Sequence, residues 1–203
     1  MNFDALMKKI ANDPLSKSLP LVLRIAITIN DVSFSKWVKL ELNGYFNTNP
    51  ELTEEVVVPE YRTVTGYHCD DFDRKLMIKD PNLSFVNTTR LRFGVAELEK
   101  FSNKDTEYSY RDLNMSEIIN RNMNVDVSKF LFHTTQIAGI LSSIQTELIE
   151  RLLHLKNKIE KLSEKGVISP TEDIVDLKPN FFGLGLILNA LARKWKDYTT
   201  SNK

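Results

Sequence analysis

One apolar stripe, which runs from Thr134 to about Leu162, constrains the fold of this chain more than any other feature. Its members recur every three or four residues: Ile137, Leu141, Ile144, Leu148, Leu152, Leu155, Ile159 and Leu162. This spacing keeps side chains on one helical face, so the sequence predicts one long helix over about 134–163. Ile140, Ile149 and Leu153 widen the stripe, which favours packing on the protein's own core. A homodimer formed through this helix stays an open alternative.

Length, charge and hydropathy limit the classes of protein to which the chain can belong. Its 203 residues can bury a sizeable core, and we expect a single domain over 1–203. Basic and acidic residues both number 27, and a net charge of zero argues against a large nucleic-acid interface. Apolar runs are shorter than the about 20 residues of a membrane span or are interrupted by Arg24. With one cysteine and no signal-peptide pattern, we expect a cytoplasmic protein without membrane contact.

Shorter patterns complete the predicted fold. The first 44 residues are typical of three short helices, with Pro20 in the first turn of the second and Ser33 capping the third. β-Branched residues around Pro59 predict an extended edge segment, and 102–111 has the composition of a polar loop. We expect a strand and an apolar C-terminal helix over 166–198, packed on the rest. The predicted class is α+β and mostly helical, with an N-terminal helical hairpin region and small irregular β elements in the middle.

The segment KWVKLELNGYF (36–46) places a charged residue where an apolar one is expected. Glu41 falls on the apolar face of its helix, one turn after Trp37, and Arg24 lies within the preceding apolar helix. The short connection makes these helices antiparallel neighbours. Because a lone buried charge is costly, we expect Glu41 to be buried beside a cation, either Arg24 or Arg62. Such pairs more often fix the register of helices than catalyse, so we interpret this one as structural.

Two short motifs, KWVKLELNGY and then PEYRTVTG, resemble the AbiTii domain of bacterial abortive-infection, phage-defence proteins. The segments 95–101 and 136–156 are similar to a Leu-Glu helix and to the long helix of that family. Gln145, Thr146 and Glu147 depart from the Arg-Asn-Arg-like run that members tend to carry in the long helix. The resemblance covers about 15–165 and implies a defence role without implying any catalytic residue. It is carried by Trp37, Glu41, Leu42, Asn43, Gly44, Tyr45, Pro59, Tyr61 and Arg62.

The same motif residues also have a structural interpretation. Asn43 and Gly44 are suited to a left-handed helix exit, and Tyr45 would fold back on the helix end. Arg62 would meet the carboxylates or the free backbone carbonyls that this exit leaves at the end of the helix. On this interpretation Trp37 and Tyr45 are anchors of the fold rather than platforms for a ligand.

The segment HCDDFD (68–73) gathers residue types that bind metals. Its weak metal candidates are His68, Asp70, Asp71 and Asp73. The spacing fits neither a zinc site nor a calcium-binding loop, so we interpret the segment as a solvated acidic turn. We therefore expect no metal and no cofactor.

The expected function is a non-catalytic component of an anti-phage abortive-infection system, which binds a phage protein, a host protein or another subunit. Two alternatives stay open. One is an enzyme-type toxin that acts on nucleic acid or nucleotides, with its site at the 68–73 acids or at Glu41 and Arg62. The other is a structural dimerisation module. A concave pocket at those acids would favour an enzyme, and an exposed apolar patch would favour a binding protein.

Overall fold

The computed structural model describes residues 3–28, 30–76, 78–111, 113–123 and 125–164. The chain folds into two compact units. Of the described residues, the helical unit contains those up to Asn43 and those from Ile144 to Glu164, and the sheet unit contains those within Gly44–Ser143. The predicted strand and helix over 166–198 lie outside the described residues, and the single domain over 1–203 stays a prediction.

The described elements make the chain α+β and mostly helical, which confirms the predicted class. Two stretches of 3-10 helix, Glu60–Arg62 and Pro81–Asn87, accompany them. The helices are α1 (Phe3–Asn12), α2 (Leu15–Thr28), α3 (Val32–Asn43), α4 (Val95–Ser102), α5 (Leu113–Met123) and α6 (Gln136–Glu164). The strands are β1 (Thr63–Cys69), β2 (Lys75–Leu76), β3 (Thr88–Arg90), β4 (Glu107–Tyr110) and β5 (Lys129–His133).

Helices α1 to α3 confirm the three predicted N-terminal helices, with two corrections at their ends. Helix α2 begins at Leu15, so Pro20 lies in its second turn and not in its first. The cap of α3 is Asp31, whose carboxylate accepts a 3.0 Å hydrogen bond from the amide of Phe34, whereas the predicted cap Ser33 lies inside the helix. The reason is that a side chain one position before the helix reaches the free amide of its third residue.

Helix α6 confirms the long helix that the apolar stripe predicts. Its described buried side chains pack against other parts of the same chain. They are Ile137, Ile140, Ile144, Leu148, Leu152 and Leu155. The buried line passes through Ile140, and Leu141 is only half-buried. In the helical unit, the side-chain amide of Gln145 donates to the carbonyl of Ile10 at 3.0 Å, near the end of α1. Among the described helices, none combines the length and the apolar character that a membrane crossing requires.

The sheet is antiparallel, with strand order β2-β1-β5-β4, and β3 also pairs with β1. The prediction of an edge segment after Pro59 was wrong for β1, which is paired on both sides. Pro59 precedes the strand, so its missing amide removes no bond from the ladder. The prediction of a polar loop over 102–111 was also wrong in part. Strand β4 is short and partly exposed, and its pairing with β5 decides its conformation more than its composition does.

Amide side chains substitute for backbone at several places in the sheet unit. Gln136, at the start of α6, accepts from the amide of Thr65 and donates to its carbonyl, both at 2.8 Å. The same two-bond pairing joins Asn87 to Ile78 and Asn120 to Val127. An amide group presents one donor and one acceptor, as a peptide group does. These side chains therefore fasten helical segments to extended ones without a further strand.

Candidate functional site

The arginine of the second motif, Arg62, is fully buried in the sheet unit, with 0% of its surface exposed. Its Nη1 donates to the carbonyl of Leu91 at 3.1 Å and to that of Phe93 at 2.7 Å. Its guanidinium carbon lies 4.7 Å from the centre of the Tyr45 ring. Backbone carbonyls and an aromatic face stabilise a cation that burial would otherwise destabilise.

The backbone around Arg62 directs its side chain toward Leu91 and Phe93. Pro59, with φ of −57°, begins a 3-10 turn in which the amide of Arg62 donates to the Pro59 carbonyl at 3.1 Å. The carbonyl of Arg62 then accepts from the amide of Leu91 at 2.9 Å. Arg62 therefore binds this segment through both its backbone and its side chain. Tyr61, beside it, is half-buried.

The end of the first motif meets the same segment. Gly44 has φ of +80°, which confirms the predicted left-handed helix exit. The amide of Tyr45 donates to the carbonyl of Arg92 at 2.8 Å, and Asn49 donates from its side chain to the carbonyl of Gly44 at 2.6 Å. A Cβ on Gly44 would lie 2.4 Å from the carbonyl oxygen of Arg92, so only glycine allows this approach.

The two motifs thus converge on residues 89–93, here called the anchored segment, which sequence reasoning did not single out. The exposure of its side chains alternates along the chain. Leu91 is buried and Phe93 half-buried, whereas Arg90 and Arg92 are exposed. The alternation in Arg-Leu-Arg-Phe was the signal that could have found it. The prediction placed the carbonyl acceptors of Arg62 at the end of α3, whereas Arg62 donates to carbonyls of the anchored segment.

The anchored segment forms one wall of a groove of about 900 Å³, here called the arginine groove. Three exposed arginines, Arg90, Arg92 and Arg111, line it, and Glu54 is the acidic residue among the described residues of the lining. Apolar side chains line the groove as well, and Val57 is 70% exposed. The groove therefore combines positive charge with exposed apolar surface.

The remaining motif residues lie in the helical unit. Trp37 is buried, with its ring 6.1 Å from that of Phe34 and 4.8 Å from the guanidinium carbon of Arg151. Glu41 is 0% exposed, which confirms that this helix buries a carboxylate. Arg24 is exposed on α2. Of these two charged residues, which the sequence places within apolar helices, Glu41 is the buried one. Which cation accompanies Glu41, whether Arg24 or Arg62, stays a prediction.

The four metal candidates of the HCDDFD segment have separate surroundings. His68 is buried, and its Nε2 lies 2.9 Å from the carbonyl oxygen of Val86. Asp70 organises the turn between β1 and β2, whereas Asp73 forms an ion pair with Lys129 at 2.6 Å. Asp71 is exposed and lines a second groove of about 650 Å³. Within the described ranges, no three His, Cys, Asp or Glu side chains are grouped so that they could hold a metal ion.

Hydrogen bonding controls the charge of Asp70. Its burial acts to raise the carboxyl pKa, but the amide and guanidinium of Arg74 and the amide of Phe72 donate to the carboxylate. The donors outweigh the burial, and the pKa is lowered from the usual 3.8. The lowered pKa keeps Asp70 ionised further into the acid range than an ordinary aspartate, and its ionised oxygens only accept hydrogen bonds.

We expect the Asp70→Asn variant to lose less stability in acid than the natural protein does. A carboxyl whose pKa is lowered by folding stabilises the folded state above its unfolded pKa, and the contribution disappears as pH falls below 3.8 through the folded-state value. Urea unfolding of both proteins at neutral pH and at about pH 3 measures the difference. Identical pH dependence of the two free energies of unfolding would contradict this account of Asp70.

A second charged network lies on the partly exposed surface of the sheet. Lys75 forms an ion pair with Glu107 at 3.1 Å and also donates to the hydroxyl of Tyr67, which donates to Glu107. Partial burial, and then the hydrogen bond to Glu107, raise the pKa of Tyr67. The Tyr67 hydroxyl donates to Glu107 and accepts from Lys75, so the network links strands β1, β2 and β4.

Comparison with known proteins places the chain in a family. The family model for AbiTii matches residues 5–181 and so includes both motifs and the anchored segment. Neither the curated proteins nor the solved structures gave a significant match in the same comparison. Because the match extends over well more than half of the chain, this protein belongs to the AbiTii family, and its role lies in abortive infection as a defence against phage.

Proposed function

We propose that this protein is a non-catalytic component of its abortive-infection system, a sensor, adaptor or scaffold that acts by binding another protein. The burial and the hydrogen bonds of Arg62 are the strongest support for this proposal. The charged group of the motif is buried and bonded to the carbonyls of Leu91 and Phe93, away from any surface where a substrate could meet it. The motif therefore shapes a surface rather than a reaction centre.

The surface of the arginine groove favours another protein as the binding partner. Val57 is 70% and Phe46 37% exposed, and apolar side chains beside a concave surface are typical of binding sites. The partner is a phage protein, a host protein or another subunit of the defence system. We expect the protein to act in the cytoplasm, where phage components are made.

An enzyme-type effector that acts on nucleic acid or nucleotides is the second candidate, because the groove of about 650 Å³ is polar. Asp71, Glu117 and Arg111 line it, and carboxylates beside arginine occur in phosphoryl-transfer sites. Two of its other side chains already have structural partners. Arg121 forms a 2.5 Å ion pair with Glu117, and Asn120 is bonded to the backbone of Val127.

The Asp71→Asn variant separates the two candidates. We expect cells that express it to resist phage as well as cells with the natural protein, because Asp71 is an exposed turn residue whose replacement should change stability by less than about 0.5 kcal/mol. The measurement is plaque formation under phage challenge, with expression level and circular dichroism as checks on folding. The matched control is Asp105→Asn, which makes the same change at an exposed loop aspartate outside the described lining of either groove and should also leave protection unchanged. Loss of protection by folded Asp71→Asn would favour the effector instead.

A further inference from the structure

We propose that the arginine groove binds an extended acidic segment of the partner protein, in which carboxylates alternate with apolar residues. This inference rests on the proposed function and names the chemistry of the partner. It follows from the charges, the backbone geometry and the apolar surface of the groove.

The groove has unsatisfied positive charge. Arg92 and Arg111 are exposed, and their guanidinium groups have no ion-pair or hydrogen-bond partner among the residues that the structure describes. Arg90 donates one bond to the carbonyl of Val58 at 2.9 Å. Against these three cations the described part of the lining contains one carboxylate, Glu54. A guanidinium binds a carboxylate through two parallel hydrogen bonds, so a ligand with several carboxylates fits this surface.

The spacing of Arg90 and Arg92 matches an extended ligand. Arg90 ends β3, where it pairs with Thr63 of β1, and the burial pattern shows that the alternation of sides continues to Arg92. Side chains two positions apart on an extended chain lie on one side, about 7 Å apart. An extended ligand repeats at the same distance, so carboxylates at alternate positions can meet both arginines.

The anchored segment is held in place before any ligand arrives. Arg62 binds the carbonyls of Leu91 and Phe93, and the amide of Tyr45 binds that of Arg92. A fixed backbone loses less conformational entropy on binding than a mobile loop does. The buried motif therefore contributes to recognition by positioning the exposed arginines.

The apolar lining favours a peptide over nucleic acid. Val57 and Phe46 supply exposed apolar surface that a purely anionic ligand would leave unused. Each aromatic ring in the described lining packs against another ring: Phe46 against Phe93 at 5.9 Å, Phe93 against Phe101 at 5.4 Å and Tyr110 against Phe130 at 6.0 Å. Stacking on nucleobases requires free ring faces. Binding to the phosphates of a nucleic acid favours an excess of basic residues, and the net charge of this chain is zero.

The experiment measures fluorescence anisotropy of a labelled Glu-Val-Asp-Ile-Glu-Val-Asp peptide titrated with the full chain. We expect saturable binding that the double variant Arg92→Glu/Arg111→Glu weakens by about tenfold or more for each lost arginine–carboxylate pair. The charge-matched control is Lys100→Glu/Lys104→Glu, which reverses two exposed cations outside the groove lining and should leave binding unchanged. All of these side chains are exposed, so thermal unfolding should confirm that both double variants fold.

Three results would overturn the proposal. They are absence of saturable binding, an equal loss with Lys100→Glu/Lys104→Glu, and preferential binding of a single-stranded oligonucleotide through the same arginines. None of them decides whether the protein is catalytic, which the Asp71→Asn phage challenge tests separately. If Asp71→Asn still protects cells but the groove binds no peptide, the proposed function stands and the acidic-segment inference is wrong.

Discussion

Replacing Gly66 with alanine should lower the free energy of unfolding by more than about 4 kcal/mol or prevent folding altogether. Gly66 lies within β1, opposite Phe132 of β5. An added Cβ would stand 2.0 Å from the carbonyl oxygen of Leu131 and 2.7 Å from Cζ of Phe130. The carbonyl is part of the β5 backbone and the Phe130 ring is buried, so neither can move aside without separating the strands.

The matched control for this change is Gly139→Ala. Gly139 lies in α6, and a Cβ there would meet nothing within 4 Å. Alanine at an exposed helical position should therefore raise stability by about 0.5–1 kcal/mol. Urea unfolding followed by circular dichroism compares both variants with the natural protein. A Gly66→Ala protein as stable as the natural one would show that β1 and β5 do not pair in this register.

The Arg62→Met variant should lose about 3 kcal/mol of stability and with it the protection against phage. Methionine keeps much of the apolar stem but removes every donor. The carbonyls of Leu91 and Phe93 would lose the hydrogen bonds that Arg62 now donates to them in a buried environment. Because the same bonds position the anchored segment, we expect the groove to lose its shape even where the chain still folds.

The same substitution at Arg92 provides the control for Arg62→Met. Arg92 is exposed between the buried Leu91 and the half-buried Phe93, and its guanidinium makes no bond to the described part of the chain. Its loss should therefore change stability by less than about 0.5 kcal/mol. Chemical denaturation of both variants measures the contrast. Equal stability of Arg62→Met and Arg92→Met would show that burial of the motif arginine contributes nothing to the fold.

Local patterns made the helices predictable, whereas the sheet depended on distant partners. The repeat in α6 and the exit at Gly44 involve neighbours within a few residues, and the structure confirms both. Strand β4 was missed because its place is set by β5, about twenty residues further along the chain. The edge assignment for β1 failed for the same reason, since its partners β3 and β5 are far away in sequence.

The candidate site was predictable in its chemistry but not in its location. The motif arginine was expected to meet carboxylates or the carbonyls left at the end of α3. Arg62 does donate to backbone carbonyls, but to those of Leu91 and Phe93. Nothing local to the motif indicated that those carbonyls belong to Leu91 and Phe93. The groove arises only when Val57, Arg92 and Arg111 come together from separate parts of the sheet unit.

The hydrogen bonds that Arg62 and Tyr45 donate to residues 91–93 end on main-chain carbonyl oxygens, which every amino acid possesses. Arg62 and the amide of Tyr45 bind carbonyl oxygens, so they impose no identity on the outward side chains at positions 90 and 92. If the partner is the phage protein proposed above, a change in that protein can be matched by substitutions at positions 90 and 92 of this chain, with little change in its folding. Within this short segment, residues 91 and 93 would then be constrained by folding, whereas positions 90 and 92 would be free to change with the partner.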